Sequence, residues 1–105
     1  MDNLIAKKLS NWAIRIWERD DTVIDELRRF FPDMRVNDEG VALIKNHGML
    51  VAISQGLDPI NSLAQLGFAF FGPLWAQLPF MEQAFKMTEK AWKERTKKKA
   101  GGKAS

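Results

Sequence analysis

The most constraining feature of the sequence is a run of 23 residues without a charged side chain, residues 59–81. Its centre, GFAFFGPLWAQLPF, carries five large aromatic residues. A run of this length could cross a bilayer. Pro73 and Pro79 interrupt it, however, and lipid offers no replacement for the backbone hydrogen bonds that a proline removes from a helix. The run therefore favours two short helices joined at residues 72–73 over one spanning helix.

Two further segments have the apolar periodicity of amphipathic helices. The first places four apolar residues on one face: Ile5, Leu9, Trp12 and Ile16. The second has a heptad-like seam: Met81, Phe85, Thr88 and Trp92. Glutamate-to-lysine pairs four residues apart further stabilise this second helix. The pattern also recurs over residues 21–31, and the sequence leaves open whether that is a second helix or a continuation of the first.

The segment 36–55 allows two interpretations. Turn residues recur eight positions apart: Pro32, Gly40, Gly48 and Gly56. With short β-branched runs between them, this spacing is typical of a meander, in which residues 46–48 would form a three-residue hairpin loop with Gly48 in the left-handed conformation. A capped helix is the alternative, but two internal glycines would each cost it about 1 kcal/mol relative to alanine. We therefore expect a short β-hairpin around residues 41–54.

The length of the chain, 105 residues, suffices for one domain and leaves no room for a second core. Cysteine is absent, so packing alone must stabilise the fold, and the composition fits the reducing cytoplasm where we expect the protein. We predict a mainly α fold: a small single-domain helical bundle over residues 1–99 that includes the short hairpin. A flexible C-terminal tail is expected over residues 100–105.

Side chains suited to catalysis are sparse. His47 is the one histidine and falls in the predicted turn, while the absence of cysteine rules out a thiol nucleophile and a thiolate zinc site. The acidic stretch DMRVNDEG places Arg35 where a calcium loop needs a ligand, and the glycines are too widely spaced for a phosphate-binding loop. We therefore expect neither an enzyme nor a metal, cofactor or small-molecule site.

The bulky rings of the later helices surround the helix axes, so a fold of this size is not expected to turn all of them inward. Aromatic residues left at a surface commonly anchor protein partners. We predict six anchors for a protein partner or for self-association: Trp12, Ile16, Phe71, Trp75, Phe85 and Trp92. The predicted function is that of a small non-catalytic interaction or assembly protein. Its size and character are those of accessory proteins of phages and mobile elements.

The formal charge of +3 is unevenly distributed, because residues 82–105 carry an excess of positive charge and residues 1–81 an excess of negative charge. Six lysines form a basic stripe: Lys86, Lys90, Lys93, Lys97, Lys98 and Lys99. Phosphate backbones and anionic lipid surfaces suit such a stripe. Two alternative functions follow. One is a membrane-associated protein with residues 59–81 in the bilayer and the basic helix on its anionic surface; the other is nucleic-acid binding through that helix.

Overall fold

A computed structural model describes the backbone of residues 2–46, 48–55 and 58–104, and the side chains of residues 3–46, 48–55 and 58–97. Its elements, in chain order, are α1 (Asp2–Trp17), α2 (Thr22–Arg28), β1 (Arg35–Val36), β2 (Val41–Asn46), β3 (Met49–Ser54), α3 (Pro59–Phe71), a short 3₁₀ helix (Trp75–Gln77) and α4 (Pro79–Ala104). The chain is 62% helical and forms a single small domain with a three-stranded antiparallel sheet. The predicted fold class is confirmed. The flexibility expected of residues 100–105 stays a prediction.

The first two helices are separate. α1 ends at Trp17, and Arg19 then adopts a left-handed backbone conformation with a φ of 60°. The carboxylate of Asp20 accepts hydrogen bonds from the backbone N–H of Thr22 at 3.0 Å and from its hydroxyl at 2.6 Å. Because these bonds satisfy groups at the start of α2, the chain restarts as a new helix instead of extending α1.

The predicted hairpin over residues 41–54 is confirmed, and its loop is shorter than expected. The strand order is β1-β2-β3, and Asn46 pairs with Met49, so the loop has two residues where the sequence predicted three. Gly48 has the predicted left-handed conformation, with a φ of 71°. His47 lies outside the described residues. Strand geometry prevails over the helical alternative because the buried residues alternate: Ala42, Ile44, Val51 and Ile53.

The uncharged run folds as α3, the 3₁₀ helix and the first residues of α4, with the expected break after α3 at residues 72–73. Asp58 caps α3 by accepting a hydrogen bond from the backbone N–H of Asn61 at 2.9 Å. Gly72 ends α3 with a φ of 79°, and α4 begins at Pro79, where the missing N–H costs no helical hydrogen bond. Within the described residues, no helix is both long and apolar enough to cross a membrane.

α3 lies at the centre of the fold. It contacts α1 and α4 as well as strands β2 and β3, so helices and sheet share one core around it. The largest fully buried side chains come from all of these elements: Leu9, Ile16, Leu27, Ile44, Ile53, Leu63, Leu66 and Met81. A buried hydrogen bond of 2.9 Å between the hydroxyls of Ser10 and Thr88 also joins α1 to α4. This packing fixes the side of α4 that remains accessible.

Candidate interaction surface on helix α4

Two of the six predicted anchors are core residues. Trp12 is 4% exposed and Ile16 1% exposed, so neither is accessible to a partner in this fold. The ring of Trp12 stacks on Phe70, with 5.5 Å between centroids and 7° between planes, and its indole N–H donates to Glu26 at 3.3 Å. Their placement among the predicted anchors needs correction, because the apolar face of α1 is turned inward against α3 and α4.

The aromatic residues shelter one another more than the sequence suggested. Phe70 lies 4.7 Å from Phe31 and 6.0 Å from Phe71, measured between ring centroids, and its neighbours include Trp12. Ring-on-ring packing of this kind buries large apolar areas without placing every ring at the centre of a core. Among the described residues, four of the five large exposed apolar side chains are aliphatic, Leu4, Ile5, Leu50 and Leu74, and the fifth is Phe30.

The remaining four predicted anchors are half-buried and belong to three ring pairs. Trp75 and Phe85 lie 5.9 Å apart between ring centroids, and Phe71 packs edge-on against Phe80 at 5.1 Å. Trp92 packs edge-on against Trp17, 6.5 Å away, nearer the C-terminal end of α4. Phe85 and Trp92 are both on α4, and each has one side in contact with the core elements and one side towards solvent. They mark the two ends of an open surface.

That surface is a row of three adjoining cavities along α4, with volumes of about 410, 260 and 570 Å³. Neighbouring cavities share lining residues, so together they form one depression, which we call the α4 trough. Its apolar lining lies at the two ends, with Leu78 and Phe85 at one and Ile60 and Trp92 at the other. Charged residues of α4 form its rim: Glu82, Lys86, Glu89, Lys90, Lys93 and Lys97. At 1.5 Å per helical residue, the stretch from residue 82 to residue 97 is about 22 Å long.

The rim of the α4 trough is basic but only partly neutralised. Lys86 lies 3.4 Å from Glu82, and Lys93 lies 3.0 Å from Glu89, both as predicted pairs four residues apart. Lys90 and Lys97 form no ion pair with another residue whose side chain the structure describes. Four of the six predicted lysines are thus brought to one surface, while the side chains of Lys98 and Lys99 lie outside the described residues.

The apolar end of the trough includes residues that sequence analysis missed. Ile60 and Thr96 line the 570 Å³ cavity beside Trp92. Thr96 lies one helical turn beyond Trp92, so the periodicity of α4 could have indicated it. Nothing in the sequence places Ile60 against α4, because that contact depends on how α3 and α4 pack. The edge-on contact with Trp17 holds the Trp92 ring in position as a wall of the cavity.

Features that would indicate a catalytic metal centre do not occur in the part of the chain that the structure describes: no group of three or more His, Cys, Asp or Glu side chains could hold a metal ion there. Protein-family models, curated proteins and solved structures were each compared with the chain, and none of them matches it. The function is therefore argued from the α4 trough itself.

Proposed function

We propose that the protein is a non-catalytic interaction protein that binds a protein partner through the α4 trough. The observation that carries this proposal is the coincidence, along one side of one helix, of apolar lining at both ends of the trough and lysines between and beside those ends. Apolar cavities supply affinity because they bury a partner's apolar side chains, and unpaired charges at the rim favour a partner of opposite charge. Half-buried Phe85 and Trp92 are the anchors of this surface in the proposal.

The chemistry of the trough favours an acidic amphipathic helix as the bound segment. A trough about 22 Å long accommodates about four helical turns, which is the usual geometry of helix-in-groove recognition. A large apolar side chain of the partner would fill the cavity between Ile60 and Trp92. Carboxylates on the same helix would face Lys90 and Lys97, whose charges no described residue neutralises.

Two alternative functions have weaker support. For the membrane-associated alternative, three apolar residues of the 59–81 segment would have to leave the protein core, where they are fully buried: Leu63, Leu66 and Ala69. For the nucleic-acid alternative, affinity depends on the number of phosphates neutralised, and two of the four rim lysines are already paired with glutamates, which leaves two unpaired. Both alternatives stay predictions, as do the cytoplasmic location and the link to phage accessory proteins.

Binding to designed helical peptides tests the proposal. Two labelled peptides would share one apolar face, and their polar faces would carry either glutamates or lysines. We expect the acidic peptide to bind, and Trp92→Ala to weaken binding by about tenfold or more. The double change Lys90→Glu and Lys97→Glu should reverse the preference towards the basic peptide. Leu4→Ala, an exposed apolar change on α1 outside the trough, is the matched control and should leave the affinity unchanged.

The same assay distinguishes the alternatives. Equal binding of the acidic and basic peptides, or no binding of either, would contradict docking in the α4 trough. Anionic vesicles and a nucleic-acid duplex serve as competing probes. Tight binding to either of them that is lost in the Lys90→Glu and Lys97→Glu variant, without peptide binding, would support the corresponding alternative in place of the proposal.

A further inference from the structure

Strand β3 has an unpaired edge whose outward-facing residues can be identified. The sheet order is β1-β2-β3, so β3 pairs with β2 on one side and with no described strand on the other. The carbonyl of Val41 accepts from the backbone N–H of Asn37, which shows that position 41 of β2 faces β1. Because hydrogen-bonding directions alternate along an antiparallel strand, the backbone groups of three β3 residues face outward: Leu50, Ala52 and Ser54.

This edge lacks the features that usually prevent strands from pairing between molecules. Strand β3, with the sequence MLVAIS, contains no charged residue and no proline, and its pairing with β2 is continuous without a bulge. Leu50 is 69% exposed, and Ala52 is also exposed. The inner face, with Val51 and Ile53, is already buried against the protein's own core. An accessible edge and an uncharged strand thus coincide.

We propose that a second copy of this chain pairs with β3, antiparallel and about a two-fold axis at Ala52, to form a continuous six-stranded sheet. In this register Ala52 faces Ala52 of the second copy, and Leu50 faces its Ser54. All three outward-facing residues of both copies are then hydrogen-bonded. A shift of the register leaves at least one outward-facing residue of each copy without a partner in the ladder.

The charge distribution favours a second copy as the occupant. Strand β3 carries no charged residue, so no like charges face each other across the two-fold axis. The nearest lysine on the exposed face of β2 is Lys45, which is paired with Leu50. Strand spacings place Lys45 about 20 Å from Lys45 of the second copy, beyond the screening length of about 8 Å at physiological salt. An edge without charge gives no preference for an acidic or a basic strand, whereas two identical strands are self-complementary about a two-fold axis.

Single cysteines test the register directly, because the natural chain contains none. Hydrogen-bonded residues of paired strands have Cα atoms about 5.5 Å apart, which suits a disulfide. Ala52→Cys is therefore expected to form a covalent dimer rapidly under mild oxidation. Leu50→Cys is the matched control, since its Cα atoms would lie about 14 Å apart, and it should crosslink at least about tenfold more slowly. Equal rates, or a faster Leu50→Cys, would overturn the proposal.

Charge substitution provides a second test that does not depend on oxidation. Ala52→Lys and Ala52→Glu should each be monomeric in sedimentation experiments, because each places like charges opposite one another, and a mixture of the two should form a heterodimer. Circular dichroism establishes that each variant is folded. Strand pairing would be refuted if sedimentation showed only monomers both for the mixture of the two variants and for the unaltered protein. Trp92→Ala should leave Ala52→Cys crosslinking unchanged, which separates this inference from docking in the α4 trough.

Discussion

At the scale of single residues, Gly67 has poor helix propensity but permits a tertiary contact. Glycine inside a helix costs about 1 kcal/mol relative to alanine. A Cβ at position 67 of α3 would lie 2.9 Å from the ring of Trp75 and 3.2 Å from the terminal methyl of Met81. The missing side chain therefore allows Trp75 to pack against α3, and through Trp75 it supports the neighbouring Phe85 at the start of the α4 trough.

Replacement of this glycine should destabilise the protein in spite of the helical gain. We expect Gly67→Ala to lower the free energy of unfolding by about 1–2 kcal/mol, because overpacking outweighs the improved helix propensity. Urea denaturation measures the change. In a Trp75→Ala background the obstructing ring is absent, and the same substitution should instead be stabilising by up to about 1 kcal/mol. A stabilising effect in the unaltered protein would contradict this expectation, because it would show that the Trp75 ring moves aside without a loss of stability.

At the scale of elements, Arg15 connects the end of α1 to α2. Its guanidinium lies 3.1 Å from the Asp20 carboxylate, 2.7 Å from the Thr22 hydroxyl, and in an ion pair with Glu26. The bond from Arg15, assisted by the indole N–H of Trp12, lowers the pKa of Glu26 below its ordinary value of 4.5. Hydrogen bonds from Thr22, followed by Arg15, lower the pKa of Asp20 below 3.8.

These shifts predict a pH dependence with a definite sign. A carboxyl group whose pKa is lower in the folded protein stabilises the fold fully above its unfolded pKa and loses that contribution as pH falls through its folded pKa. The destabilisation caused by Glu26→Gln should therefore be greatest above about pH 5 and should shrink below pH 4.5, as measured by urea denaturation between pH 6 and 3. In an Arg15→Gln background, where the guanidinium partner is absent, the same substitution should show a smaller dependence on pH. A Glu26→Gln effect independent of pH would contradict the ion pair.

At the scale of the whole molecule, local signals in the sequence predicted the elements, and tertiary packing determined which residues remain accessible. Asp58, Gly72 and Pro79 mark boundaries through their own backbone chemistry, so α3 and α4 were predictable. The lysines of the trough were predictable because one helix carries them all. The burial of Trp12 was not, since its stacking on Phe70 depends on how α1 meets α3 and not on spacing within either helix.

The difference in burial predicts that Trp12 contributes mainly to stability and Trp92 mainly to binding. Trp12→Ala would remove a buried ring that stacks on Phe70, and it should lower the free energy of unfolding by about 3–5 kcal/mol, enough to unfold much of a marginally stable domain. Trp92→Ala removes a half-buried ring at the trough, so we expect a smaller loss of stability, about 1–2 kcal/mol, with peptide binding weakened by about tenfold or more. Urea denaturation and peptide titration of both variants measure the two effects. If Trp92→Ala proved the more destabilising, Trp92 would be a core residue and the trough would lose its anchor.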